Sequence, residues 1–319
     1  MQTSEPTVSV VISVYRRAKY LEQAIQSALS QNYRSLEVIV TEDGCSREVE
    51  EVINRFNDPR LRYIRNDPPL GAAANKLAAW RIAKGSLLVN LDDDDLIDPE
   101  FLSTLVPPLV AHPEATVSFC DHWIIDSNGV RDVSYTDFNT HRWGRDKLSA
   151  GLIQPFIREA IVDQSPPIAM GAVFRKTLID DFKIESGPSY DLYLGYLACR
   201  DGQACWYTNR RLSSWRRHEN QETGVGGLRT APAGIFCFDQ FERDPRLVEF
   251  RDYCRSKKLA AETSYGLHLI RADRPSEARK QLWHAIRHRP TLRAIAGLLI
   301  SFVPQLVRQK LLGRRWRKE

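Results

Sequence analysis

Apolar and polar positions recur in two rhythms along the chain. Val8-Ser9-Val10-Val11-Ile12-Ser13-Val14 is a nearly unbroken β-branched run, the composition of a strand covered on both faces. Residues 18–31 change to helical spacing, with Leu21, Ile25, Ala28 and Leu29 on one side and charged or amide residues on the other. A second strand, Leu36 to Val40, runs into Thr41-Glu42-Asp43-Gly44. A helix over 46–56 and a short strand, Leu61 to Ile64, follow. Gly71 introduces an alanine-rich helix over 72–84, with Gly85 read as its C-cap. Residues 86–91 form a strand that ends in four consecutive aspartates, Asp92 to Asp95, and Pro99 starts a helix reaching about Ala111. Such alternation predicts an α/β fold with parallel strands joined by right-handed crossovers. Sheets of this kind bind ligands at the carboxyl ends of their strands. Ser13 and Tyr15, Glu42 and Asp43, and the four aspartates are therefore expected along one edge.

The rhythm weakens further on. Thr116 to Cys120 and Ile168 to Phe174 read as strands, 176–182 and 190–200 as helices, and Tyr207 to Trp215 as a last strand. Residues 136–165 have no readable period, and Gly224 to Gly227 mark a flexible loop. From about 241 the pattern is helical. Ala260 to Ile270 and Ser276 to Ile286, broken at Asp273-Arg274-Pro275, resemble a single tetratricopeptide-type unit. The expected organisation is a domain over 1–240, with halves 7–125 and 126–240, and a basic helical extension over 241–319.

Charge sharpens that division. The 319 residues carry a formal net charge of +5, yet residues 251–319 hold 17 Lys/Arg against 5 Asp/Glu, which leaves the rest acidic. The apolar stretch from Ala294 to Pro304 is shorter than the ~20 residues that span a bilayer. Arg308, Lys310, Arg314, Arg315, Arg317 and Lys318, with Trp316, suit an anionic membrane surface. No nucleic-acid recognition motif accompanies them, so no nucleic acid is expected as a partner. The first residues lack an export-signal pattern and the six cysteines lack CxxC pairing. The reading is a cytoplasmic protein with reduced thiols, peripheral on the inner membrane face.

Four adjacent carboxylates repel one another and need something to offset that cost. Mg²⁺ and similar hard cations take one or two carboxylates together with substrate phosphates. A rigid turn at a strand end could aim one or two of these side chains at such an ion, which would hold a departing diphosphate. The competing reading, acids at a helix N-terminus, accounts for Asp98 in Asp98-Pro99-Glu100 but not for four acids before it.

Three ordered motifs carry a family resemblance: VSVVISVYRRAKYLEQAIQSALSQNYRSLEVIVTEDG, then G-x-x-x-N at Gly71 to Asn75, then AKGSLLVNLDDDDLIDP. Together they resemble the N-terminal half of family 2 glycosyltransferases of the GT-A fold, strongly over 7–125 and more weakly to about 220. The resemblance implies a nucleotide-sugar donor (a UDP-sugar), Mn²⁺ or Mg²⁺, and inversion at the anomeric carbon by direct displacement. It implies a saccharide or lipid-linked acceptor in cell-surface polysaccharide synthesis. It matches Asp94 to the metal-binding aspartate, Asp92 to the one near the ribose, and Asp43 to the acid pairing with the base. Ser13, Val14 and Tyr15 match the segment packing on the nucleotide, and Asp93 is grouped with these nucleotide contacts. Tyr15 could equally be a core aromatic, and Asn75 a helix cap or a donor contact. Trp215-Arg216-Arg217-His218 resembles the family's Y-R-x-H segment. There His218 is a metal ligand, a diphosphate contact or a surface residue, and Arg216 a diphosphate contact or a solvated arginine.

The chain departs from the pattern where the base is expected. A direct displacement needs a group to take the acceptor hydroxyl's proton. The family's E-D-x-x-L-x-x-R segment falls here on Pro188 to Gly195, with Ser189 at the expected acid and Gly195 at the arginine. Asp191, the nearest carboxylate, is either the base after a shift of register or a helix cap, in which case the base lies elsewhere or activity is weak. Glu42 replaces an aspartate and Cys45 intrudes before Ser46. The leading reading is a metal-dependent inverting glycosyltransferase. Its alternative is a weak or inactive nucleotide-sugar-binding protein of the same fold.

Overall fold

A computed structural model describes residues 6–15, 17–219 and 226–312, with backbone alone over 309–312. The chain divides into two compact units, Met1–His218 and Glu219–Glu319.

In the first unit the described strands join into one nine-stranded sheet. Strands β1 (Val8–Val14), β2 (Leu36–Asp43), β3 (Leu61–Asn66) and β4 (Leu87–Asp92) lie in the order β3-β2-β1-β4. All four are parallel. Helices α1 (Leu21–Leu29), α2 (Arg47–Ile53) and α3 (Ala72–Ile82) form the crossovers. Short β5 (Leu96–Ile97) and α4 (Phe101–Ala111) follow the aspartates. Next come β6 (Ala115–Ile125), α5 (Val133–Arg142), β7 (Gly151–Ile153), β8 (Ala172–Arg175), α6 (Tyr190–Cys199) and β9 (Ala204–Arg216). β8 lies antiparallel between β4 and β6, and β9 runs parallel to β6 while pairing antiparallel with β5 and β7.

The β-branched strands are buried on both faces, as their composition requires. Val8, Val10 and Ile12 share a core with Leu21 and Ile25 of α1 and Phe101 and Leu105 of α4. Trp80 of α3 is fully buried, with Phe174, Phe182 and Tyr190 around it at ring separations of 6.0, 5.3 and 6.2 Å. The register aligns the polar strand ends: Ser13 stands beside Thr41 on one side and Asp92 on the other. The edge inferred from strand–helix alternation is therefore one row of residues.

Several local expectations need correction. Gly85 is not a C-cap, because α3 ends at Ala83 in an extended conformation. A Cβ at Gly85 would lie 2.7 Å from Ser9 N, Ser9 Oγ and Thr7 O, so glycine is needed for close passage over β1. The expected strand over 168–174 is only Ala172–Arg175, and the helix over 176–182 is a 3₁₀ segment, Lys176–Asp181. The unread stretch holds α5, capped by Asp132, whose carboxylate accepts from Tyr135 N at 2.9 Å.

The described part of the second unit is helical: α7 (Gly227–Arg243), α8 (Arg251–Arg271), α9 (Pro275–His288), α10 (Leu292–Ile300) and α11 (Gln305–Leu312). α7 belongs here and not with the first unit, so the division falls earlier than residue 240. Its Phe238 ring lies 6.5 Å from Tyr253 of α8, and Glu242 pairs with Arg255 and Lys258. α8 and α9 pack closely: a Cβ at Gly266 would meet Leu282 Cγ at 2.6 Å. No described helix is long and apolar enough to cross a membrane. Of the loop 224–227 only Gly226 and Gly227 are described, and Arg314 to Lys318 lie outside the described residues.

Replacing Gly85 with Val should lower stability by about 1–3 kcal/mol, the cost of forcing extra atoms into a filled site. Urea unfolding of the full chain measures this, and an unchanged midpoint would contradict the close passage.

Candidate active site

The acidic run resolves into four carboxylates with four different partners. Asp92 Oδ1 accepts from Lys76 Nζ at 2.8 Å, and its side chain keeps about a third of its surface exposed. Asp93 is buried and accepts from Arg17 through both oxygens, with Arg17 Nη2 at 2.5 Å from Oδ1. Asp94 Oδ2 lies 3.0 Å from His218 Nε2 and 3.4 Å from Arg17 Nη1. Asp95 Oδ1 accepts the backbone N–H of Arg216 at 2.9 Å. Burial pushes Asp93 up to about 7 despite the Arg17 charge, and holds Asp95 well above the usual carboxylate range.

Lys76, which the sequence reading passed over, is the hub of the other side. It is 4% exposed and donates to Ser13 Oγ, to Asn90 Oδ1 at 3.3 Å and to Asp92. Its ammonium also lies 4.6 Å from the Tyr190 ring centre, and Tyr190 Oη accepts from Asn90 Nδ2 at 3.1 Å. One cation thus links the ends of β1 and β4 to the start of α6. The signal available in sequence was a single charge on an otherwise apolar face of an alanine-rich helix.

Asp191 sits in the first turn of α6, directly after Tyr190. Its side chain reaches solvent, and Oδ1 accepts from Leu192 N at 2.8 Å. Desolvation raises its carboxyl pKa, the nearby Asp92 charge adds to this, and Lys76 opposes it. Asp191 is therefore brought to Asp92 and Lys76 from about a hundred residues away in sequence. Ser189, in contrast, only caps α6 in position, with no side-chain capping bond.

The other expected residues divide. Tyr15 is 52% exposed, so it is not a core aromatic, while the Val14 side chain is buried in the core. Asp43 is buried, and its two oxygens accept the backbone N–H groups of Leu70 and Gly71 at 2.6 and 2.8 Å, which fixes the loop before α3. Three expectations are overturned. Asn75 neither caps a helix nor faces a ligand: its Oδ1 accepts from Thr41 Oγ1 and Asn66 Nδ2, its Nδ2 donates to Thr41 O, and it is buried. Asp93 is the counter-ion of Arg17 and is closed off from a nucleotide. Arg216 is not a diphosphate contact. At 1% exposure, its guanidinium donates to Asp94 O, Asp126 O and Gln23 Oε1 and lies over the Tyr20 ring at 4.5 Å.

His218 is not a surface residue: its side chain is 9% exposed and packs 5.1 Å from the Tyr20 ring. Among the described residues no group of three or more His, Cys, Asp and Glu is gathered as a metal site. The convergent Asp94–His218 pair still fits a divalent ion, since one or two protein donors suffice when phosphates supply the rest.

Replacing Arg216 with Ala would leave the buried Asp94 carbonyl without this donor, at about 1–3 kcal/mol for the unsatisfied group, and would also remove the bond to the Asp126 carbonyl. Thermal unfolding should show a clear drop in midpoint, whereas a diphosphate contact would leave the midpoint unchanged.

Solved structures share this architecture. TarS residues 1–349 of S. aureus, crystallised with UDP-GlcNAc, matches with a TM-score of 0.62 at 14% identity, covering 98% of this chain and 93% of that one. The mannosyltransferase PcManGT of Pyrobaculum calidifontis, with GDP-Man and Mn²⁺, matches with a TM-score of 0.58 at 19% identity, covering 99% and 89%. Among curated relatives, the chondroitin synthase of Pasteurella multocida is 28% identical over 193 residues, 59% of this chain and 18% of that protein. The chain thus spans under a fifth of the first relatives it matches. The putative colanic acid biosynthesis glycosyl transferase WcaA of Escherichia coli is 32% identical over 118 residues, 36% of this chain and 40% of that one. The model of glycosyl transferase family 2 matches residues 9–170, just over half of the chain. With its nine-stranded sheet and acidic strand end, the chain belongs to the family 2 glycosyltransferases and has the GT-A fold.

Proposed function

We propose that the protein transfers a sugar from a nucleoside diphosphate, a UDP-sugar, to a saccharide or lipid-linked acceptor, with inversion and with the help of Mn²⁺ or Mg²⁺. The observation that carries this reading is the convergence of Asp94 and His218 from 124 residues apart, beside Asp92 and within reach of Asp191. UDP is favoured because TarS binds UDP and UDP-GlcNAc, and polysaccharide synthesis because of relatives such as WcaA.

Donor binding is assigned to the aligned strand ends. Tyr15 offers an exposed ring to the base, and Ser13 and Val14 form the strand end beneath it. Each Asp43 oxygen keeps a second lone pair for an N–H of the base. Asp92 has Oδ1 fixed by Lys76 and Oδ2 open to a ribose hydroxyl. Asp94 and His218 hold the ion, which when bound neutralises charge on the departing diphosphate. Asp191 takes the proton of the acceptor hydroxyl as that oxygen bonds to the anomeric carbon and the carbon–oxygen bond to phosphate breaks. Its raised pKa makes it a stronger base than an ordinary carboxylate.

The second unit supports peripheral contact with an anionic membrane face. Leu292, Ile295, Leu299, Phe302 and Leu306 are exposed, and no Asp or Glu occurs between 278 and 318. The full chain should float with liposomes containing anionic lipid and release them at high salt. Flotation that is indifferent to lipid charge would refute that contact.

Asp94→Ala should abolish Mn²⁺-dependent UDP binding by calorimetry. Asp191→Asn should retain that binding and lose about 10²–10⁴-fold in turnover. The wild-type rate should rise with pH as Asp191 ionises, through an apparent pKa above the ordinary carboxylate value, and this limb should vanish in Asp191→Asn. Full turnover in either variant would sink the assignment. Binding without turnover for every donor and acceptor tried would favour the inactive alternative.

A further inference from the structure

A second concavity lies in the first unit and shares no residue with the donor corner. It has a volume of about 480 Å³, within the range of about 300–1,000 Å³ typical of ligand sites. Its lining comes from the turn after β5 (Asp98), from β6 (Asp121, Trp123), from α5 and the segment after it, and from β9 (Tyr207 to Leu212).

The charges on this wall are already matched. Arg145, buried, donates to Asp121 Oδ1 at 2.7 Å, to Asn139 Oδ1 and to Ser165 O. Arg211 bonds Asp121 and Asp137, and Arg210 bonds Glu100. These arginines therefore offer little to an anion. Asp98 has Arg131 and Arg210 as its positive neighbours, so it offers little to a cation.

What remains is hydrogen-bonding capacity. No described residue bonds the Asp98 carboxylate, the Tyr207 hydroxyl, the Asn209 amide or Trp123 Nε1, although all four residues line the cavity. They alternate acceptor, donor and both, the complement of a polyol. Both guanidinium groups of Arg131 and Arg211 lie against the Trp123 ring, 4.4 and 4.7 Å from its centre. These two cations already compete for the Trp123 ring, so hydrogen bonding and not stacking is the capacity this wall offers a ligand.

We propose that this cavity is a neutral-saccharide-binding site, which holds a part of the glycan away from the reacting end. The proposal rests on the reading that the acceptor is a saccharide. A glycan held there would be kept on the enzyme between encounters with fresh donor, raising its effective concentration at the proposed reaction site.

The test uses the full chain on an array of neutral and acidic oligosaccharides, without donor. Wild type should retain neutral oligosaccharides of two or more residues. Asp98→Ala/Asn209→Ala should weaken this roughly tenfold or more, the loss expected for hydrogen bonds that include one to a charged group. Trp123→Phe, which keeps a ring between the arginines and removes only the N–H, should weaken it in the same direction. UDP binding with Mn²⁺ should stay within about twofold in all three proteins. No retained neutral glycan, retention of acidic glycans alone, or equal retention by the variants would overturn the proposal. Failure of UDP binding in the wild type would instead count against the donor corner and leave the array result to judge the cavity.

Discussion

Everything at the ligand edge depends on how the chain accommodates four adjacent negative charges at the end of a buried strand. Each carboxylate is answered from a different element: Asp92 by Lys76 of α3, Asp93 by Arg17 after β1, Asp94 by His218 after β9, and Asp95 by the Arg216 backbone. Three of the four, Asp93, Asp94 and Asp95, are buried, and Asp93 and Asp95 are taken up by Arg17 and the Arg216 backbone. Asp92, partly exposed beside Lys76, and Asp94, beside His218, are the two that the proposed function uses. Alternate members of the run therefore differ in task because successive side chains leave a tight turn in different directions.

This division explains why the corner is rigid. Arg216 ties the Asp94 and Asp126 carbonyls to Gln23 on α1, so the aspartate turn is braced from behind. Lys76 holds Asp92 from α3 and reaches the ring of Tyr190, the neighbour of Asp191. In the proposed reaction the donor would meet Asp92, a carboxylate already held in place by the buried Lys76 ammonium. Preorganised polar groups of this kind act on developing charge without rearranging.

Much of this was legible in the residues. The β-branched runs, the helical spacing of 18–31 and the alanine-rich helix gave the parallel half of the sheet, and the alternation of strand and helix gave the alignment of its polar strand ends. Where periodicity was short or absent, reading failed. β5 and β7 have two and three residues, too few for a period, and α5 is held by its Asp132 cap and by Thr140 and Asn139 contacts to distant partners. Arg216 and Asn75 were misread for one physical reason: motif position fixes which residue type is present, but not whether its polar atoms are already satisfied inside the protein. Lys76 was missed because an isolated lysine on a helix usually lies in solvent, and only the fold places Ser13, Asn90 and Asp92 around it.

The spread of these partners along the chain also bears on how the protein comes into being. During synthesis the aspartate run emerges with Arg17 and Lys76 already available, but His218 follows 124 residues later, at the end of the first unit. Ribosomes add roughly 5–20 residues per second, so for several seconds Asp94 has Arg17 as a partner but not yet His218. Docking of the last strand supplies Arg216 and His218 together. A half-made chain therefore cannot present the complete acidic corner, which closes only with the final seam of the sheet.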